Sequence, residues 1–256
     1  IGHLIDTLRA RADDVDDVVK PGRTHLMDAV PVVLGHEMAA YAAQLEECLE
    51  RVVGSLTALG RVPLGGTAVG NGIGTHPDFA DLVLRSIADA GLLSSPISSP
   101  GDRIARQGAH DAMVGTSGAL EVVAVALTKI CNDLRWMASG PDTGLAEIEL
   151  PALQKGSSIM PGKVNPVIPE AVLQVAARVI GNHTTITVAG MSRPAPSSQP
   201  RDGAGSGWEA RARSAASAAV AIWQQSPPTI AAASIAGTRP RRLFWTENMT
   251  GPPMVC

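Results

Sequence analysis

The chain has 256 residues, of which 45% are hydrophobic, 18% charged and 3% aromatic. That is enough apolar material for one large core or two modest ones, and too much for a disordered or collagen-like chain. Its 21 basic and 24 acidic side chains leave a formal charge of −3, so no overall basic field draws nucleic acid or an anionic membrane, and the expected partners are small molecules or proteins.

From the start of the chain, residues 1–19 lack the basic opening and apolar block of a secretory signal, and no run approaches the ~20 apolar residues that cross a bilayer. The three cysteines, Cys48, Cys131 and Cys256, are far apart, odd in number and without metal-type spacing, which argues against a disulfide framework or a zinc site. A reducing, cytoplasmic setting is the expectation. Gly22-Arg23-Thr24-His25-Leu26-Met27-Asp28 interrupts the helical grammar. A histidine beside a threonine and near an aspartate has the chemistry of a general acid or base, and a histidine that caps or buttresses a helix start is the plain structural alternative.

His36 to Leu59 carries Met38, Tyr41, Ala42, Leu45, Cys48, Leu49, Val52 and Leu56 at steps of three and four, the period of one amphipathic helix. The glycine-rich run Gly65 to His76 follows. It has no preceding strand and no closing Gly-Lys-Ser/Thr, so close backbone packing is favoured over a phosphate cradle. Pro77 to Leu92 repeats the helical pattern, with proline suited to a first turn. Ile104 to Met137 contains no proline and shows a broad apolar stripe, which predicts a single helix of ~50 Å. A further helix is expected from Pro166 or Pro169 to about Asn182. No alternating strand pattern is evident, so the class is mostly α, a bundle of long helices.

Between these last two helices lies Gly156-Ser157-Ser158-Ile159-Met160-Pro161-Gly162-Lys163-Val164-Asn165-Pro166. A solvated loop is the plain alternative, yet Ile159, Met160 and Val164 are residues a free loop would not choose. Lys163 is one of four lysines in the chain. A cation and an amide donor held beside two hydroxyls form a carboxylate receptor in chemical terms. A compositional seam follows near residue 192: residues 193–256 carry seven arginines, no lysine and three acids, with eight of the 19 prolines and three of the four tryptophans. Two regions are therefore expected, a partial helical domain at 1–192 and a divergent Arg/Pro/Ala/Ser-rich segment at 193–256. The second reads as loop or disorder with one alanine-rich helix at Trp208 to Gln225.

The run GSSIMPGKVNP resembles the signature loop of the fumarase/aspartase superfamily, whose members add or remove a small group across the double bond of fumarate. GRTHLMDAVPVVLGHE, GGTAVGNGIGTHPDFA and ICNDLRWMASGP followed by GLAEIELP are similar to other segments of the same family. The resemblance covers about residues 1–191. It implies a truncated form of the family's long-helix bundle, without the N-terminal domain that carries the first conserved region, assembled as a homotetramer with each active site built from three subunits. It also implies reversible hydration of fumarate to malate. Ser157 would be the catalytic base, His25 with Glu170 would handle the departing or arriving water, and Thr24, Ser158, Lys163 and Asn165 would bind a four-carbon dicarboxylate, with no metal or organic cofactor. Gly162 and the run Thr75-His76-Pro77-Asp78-Phe79 look like fumarases. Val164-Asn165-Pro166-Val167-Ile168-Pro169-Glu170 is shared with aspartases, so aspartate ammonia-lyase activity is the alternative, and an inactive homologue acting as a helical assembly module is a second. Asn71 and Gly74 stand where fumarases usually have threonine and asparagine.

Overall fold

A computed structural model describes residues 1–92, 97–153, 159–160 and 162–191, together with the backbone of Arg239–Pro240. The region 193–256 and the helix expected at Trp208 to Gln225 otherwise lie outside the described residues. Six helices dominate: α1 (Gly2–Asp14), α2 (Leu34–Leu59), α3 (Phe79–Asp89), α4 (Arg103–Gly108), α5 (Asp111–Met137) and α6 (Val167–Met191). The mostly-α class is correct. The strands β1 (Val19–Thr24), β2 (Met27–Val33), β3 (Ile148–Glu149) and β4 (Arg239–Pro240) correct the expectation that there are none. β1 and β2 form an antiparallel hairpin, and β3 pairs antiparallel with β4.

The chain divides into two compact units, one formed by residues 1–46, 126–174 and 226–256, the other by 47–125 and 175–225. The division falls inside α2, α5 and α6. In the first unit, α1 buries Leu4, Ile5, Leu8 and Ala12, and the first half of α2 buries Leu34, Met38, Tyr41, Ala42 and Leu45. The second half of α5 adds Ala126, Leu127, Ile130, Cys131, Leu134 and Met137. These positions recur at three and four residues, so each helix offers one stripe to a shared core. In the second unit the core is built from smaller side chains. Ala124, Ala176 and Val179 are buried together, with Leu120, Val175 and Ile180 packed against them. Leu49, Val52 and Leu56, expected in the core, are half-buried there.

The helix expected from Ile104 to Met137 is broken. Ala109 is extended, with φ −106° and ψ 149°, which ends α4; the His110 carbonyl then accepts from the amides of Met113 and Val114 and starts α5. Gly108 at the break is a helix-stop signal, but the apolar stripe continues in register across it, so periodicity alone predicts one helix. The 27 residues of α5 span ~40 Å. Conversely, α6 runs nine residues beyond the expected end at Asn182, to Met191, and the opening helix α1 was not anticipated at all. By length and composition α5 is apolar enough to cross a membrane, which corrects the expectation that no stretch comes close. Its buried stripe and its Lys129–Asp133 ion pair at 2.6 Å fit a helix that packs in a protein core.

Cys48 and Cys131 are free and buried, and burial pushes the Cys131 thiol up to about 12 and raises that of Cys48. In a Cys256→Ser variant, both thiols should therefore resist a disulfide reagent at pH 8.5 for as long as the chain stays folded, and react at once in urea. Stoichiometric labelling of the folded chain within minutes would contradict the buried placement.

Candidate functional site

The hairpin is built from a sequence that hides it. Pro21 and Pro31 face each other across the strands, and neither has an N–H for the ladder. The register shifts between Pro21 and Arg23. Gly22 sits in that bulge, where a Cβ would lie 2.6 Å from the Val30 carbonyl oxygen, so only glycine fits. Residues 24–30 are all exposed, which removes the alternation of buried and exposed positions that marks a strand.

The turn has two residues. Thr24 pairs with Met27, and His25 and Leu26 between them have φ of 52° and 64°. Two successive positive φ values are the requirement of a type I′ turn, which normally takes Asn-Gly or Asp-Gly. A histidine and a leucine here are strained, and such strain persists only where the surroundings enforce it. His25 is thus held at the tip of a short projection rather than at a helix start, with Thr24 beside it.

What enforces the hairpin is a buried charge network at its foot. Lys20 of β1, 5% exposed, lies 2.9 Å from Glu37 of α2 and 3.2 Å from Glu147. The Arg23 Nη2 donates to Glu147 Oε1 at 2.7 Å, and the Arg23 Nε lies 3.6 Å from Asp28 on the opposite strand. Glu147 is almost fully enclosed, with 1% of its side chain exposed. The network extends into the helices: the Tyr41 hydroxyl donates to Asp133 Oδ2 at 3.1 Å, and Lys129 stands 4.6 Å from the Tyr41 ring centroid. Burial first, then the neighbouring carboxylates of Glu37 and Asp133, hold the Tyr41 hydroxyl far above its ordinary value. The hydrogen bond to Glu147 keeps Arg23 firmly protonated. Sequence reasoning missed Lys20, Glu37 and Glu147. The one available signal was a lysine in a chain with only four.

The other expected site residues lie toward and within the start of α6. Lys163 and Asn165 are exposed. Gly162 has φ +87°, and the Lys163 amide donates to the Met160 carbonyl at 3.1 Å, closing a turn that presents the ammonium. The Asn165 carbonyl accepts from Val167 at 2.8 Å as α6 begins. Glu170 stands in the first turn of α6, 3.9 Å from Arg135. Within this one chain no ion pair or hydrogen bond joins His25 to Glu170. Ser157 and Ser158 lie outside the described residues. Among the described residues no group of three or more His, Cys, Asp or Glu side chains is placed to hold a metal ion.

Residues 1–181 match a protein family described as Lyase. The chain belongs to this lyase family. It is 54% identical over 198 residues to the class II fumarate hydratase of Mycobacterium tuberculosis (strain ATCC 25618 / H37Rv), covering 74% of this chain and 41% of that one. It is 50% identical over 190 residues to the class II fumarate hydratase of Xylella fastidiosa (strain 9a5c), covering 74% of this chain and 40% of the relative. The chain thus spans about two fifths of the length of these relatives. Among solved structures, a class II fumarase from Schistosoma mansoni superposes with a TM-score of 0.84 at 27% identity, over 94% of this chain and 51% of that one. A fumarate lyase:delta crystallin from Brucella melitensis superposes with a TM-score of 0.78 at 37% identity, over 93% and 50%. The long-helix bundle of the fumarase/aspartase superfamily is the fold of this chain.

Removing one partner from an enclosed ion network costs far more than removing an exposed pair. Glu147→Gln should destabilise the chain by about 3–5 kcal/mol, because Lys20 and Arg23 lose their shared counter-charge. Breaking the exposed Arg9–Glu46 pair, 2.9 Å long on the surface of α1 and α2, should leave the urea midpoint almost unchanged. Equal midpoint shifts for the two variants would show that the network is not what holds the hairpin.

Proposed function

We propose that this chain carries the catalytic apparatus of a fumarate hydratase and takes part in the reversible hydration of fumarate to malate. The observation that carries the reading is the hairpin tip. A histidine is held in a strained, exposed conformation by an ionic foot, in a chain that is 50–54% identical to class II fumarate hydratases over 74% of its length.

Dehydration of malate removes a proton from carbon next to a carboxylate and leaves a carbanion stabilised by that carboxylate. In this reading Ser157 takes the proton. The Lys163 ammonium and the Asn165 amide hold the carboxylate on which negative charge accumulates, acting as preorganised donors. His25, paired with Glu170, protonates the departing hydroxyl as the carbon–oxygen bond breaks, so that it leaves as water. Thr24 and Ser158 orient the substrate. The hydration direction runs these transfers backward.

His25 and Glu170 are not paired within one chain, and the apolar residues around both halves of the site are bare: Leu26 is 73% exposed, Met27 71%, Val30 73% and Ile159 85%. Large apolar side chains exposed in this way fit an interface. The reading therefore places His25 of one copy against Lys163, Asn165 and Glu170 of another, in a homotetramer. Two free buried cysteines fit a reducing, cytoplasmic setting.

The test is the absorbance of fumarate formed from malate, with ammonia release from aspartate in parallel, using the chain alone and mixed with a full-length family member. His25→Asn should lower kcat by about 10²–10⁴, and Ser157→Ala and Lys163→Met should remove most of the rate with an unchanged circular dichroism spectrum. Ammonia release without hydration moves the assignment to aspartate ammonia-lyase. No turnover of either kind by the chain alone, and none in the mixture beyond that of the full-length member by itself, overturns the catalytic reading.

A further inference from the structure

The glycine-rich segment after α2 has no part in the reaction described above, yet it borders a half-open cavity of about 200 Å³ lined by Gly65, Asn71, Thr75, His76 and Arg103 among others. The walls are fixed. Gln107 of α4 donates its Nε2 to the carbonyls of Thr67 and Ala68, each at 2.8 Å. A Cβ on Gly70 would meet the Ile104 Cα at 2.5 Å, so the loop lies directly on the α4 backbone.

Arg103 is oriented within this frame. Its Nε donates to Ser99 Oγ at 2.9 Å, and the Ser99 hydroxyl donates in turn to the Leu64 carbonyl at 2.8 Å. The neighbouring Ser98 is tied into the backbone by bonds of 2.9 Å to Gly60 and Val62. Gly65 lies against the guanidinium, since a Cβ there would be 3.9 Å from the Arg103 Cζ. Among the described residues no carboxylate pairs with Arg103, and no acidic residue is in the cavity wall. A half-buried guanidinium fixed by its Nε, with its two terminal nitrogens unclaimed, is a fork for a planar anion.

The other polar groups are donors as well. The His76 Nδ1 accepts from the Asp78 amide at 3.2 Å, which leaves Nε2 to carry the ring proton. Asp78 Oδ2 lies 3.9 Å from that same Nδ1. The Asn71 Oδ1 accepts from the Ile73 amide at 3.2 Å, which frees its NH₂ group. Thr75 contributes a hydroxyl.

We propose that this cavity is a binding site for a small carboxylate anion, held by the Arg103 fork with Asn71, Thr75 and His76 as accessory donors. It shares no residue with those assigned to catalysis and does not depend on that assignment.

The test is isothermal titration of the full-length chain with sodium acetate, malate and inorganic phosphate at fixed ionic strength. It is run in a Lys163→Met background so that the proposed catalytic site contributes nothing. Saturable carboxylate binding is expected, weakened roughly tenfold or more by Arg103→Gln and severalfold by Thr75→Val or Asn71→Ala. Arg103→Lys, which keeps the charge and loses the fork, should fall between. If Arg103→Gln fails to fold by circular dichroism, the Thr75→Val and Asn71→Ala titrations decide. Absence of saturable carboxylate binding, affinity unchanged in every folded variant, or phosphate bound in preference to either carboxylate would each overturn the proposal.

Discussion

The architecture around His25 rests on a network of four charges, of which Lys20 and Glu147 are buried and Arg23 and Glu37 are partly exposed. Lys20 and Arg23 supply two positive charges, Glu37 and Glu147 two negative ones, and Glu147 in the middle has only 1% of its side chain exposed. Burying any one of them alone would carry a large desolvation cost. As a balanced set with contacts of 2.7–3.2 Å, they fix three separate pieces of chain against one another: a strand, the first turn of α2 and the segment before β3. An isolated two-stranded hairpin is marginal in water. This one, with opposed prolines and a bulge, is weaker still by its own ladder, so its direction comes from the ionic foot.

That foot explains how a strained turn is tolerated at the other end. His25 and Leu26 at positive φ sit in a geometry that glycine or asparagine would adopt more readily. The strained turn leaves the imidazole exposed at the tip of the hairpin, where the proposed reading has a second copy meet it. Lys163 and Asn165 are presented in a comparable way, on a turn closed by Gly162 at positive φ. His25, Lys163 and Asn165 are all exposed, and exposed apolar side chains border the hairpin tip. In the proposed reading the two sets of residues meet between copies of the chain, and exclusion of water there would strengthen the charge interactions on which the proposed carbanion chemistry depends.

The second unit uses backbone closeness where the first uses charge. Its core pairs alanine and valine on α5 and α6, and its loop lies on α4 through glycines that leave no room for a Cβ. The same closeness brings the loop beside Arg103, where its polar side chains line a half-open cavity.

The sequence by itself determined the helix class, most of α2, α3 and α5, and the residue types of the candidate site. Helical periodicity is a local property, and a residue such as Lys163 in an apolar, glycine-bounded loop is chemically conspicuous without coordinates. Tertiary structure decided what local pattern cannot encode. Whether Ala109 is extended or helical depends on what α4 and α5 pack against, so the break between them left no mark in the apolar stripe. The hairpin was hidden because both faces near its tip are exposed and its ladder is interrupted by proline. Glu37 and Glu147 are 110 positions apart in the chain and have meaning only once folding places both beside Lys20. Electrostatic compensation of a buried charge acts through space, and one sequence read along its length carries no record of that distance.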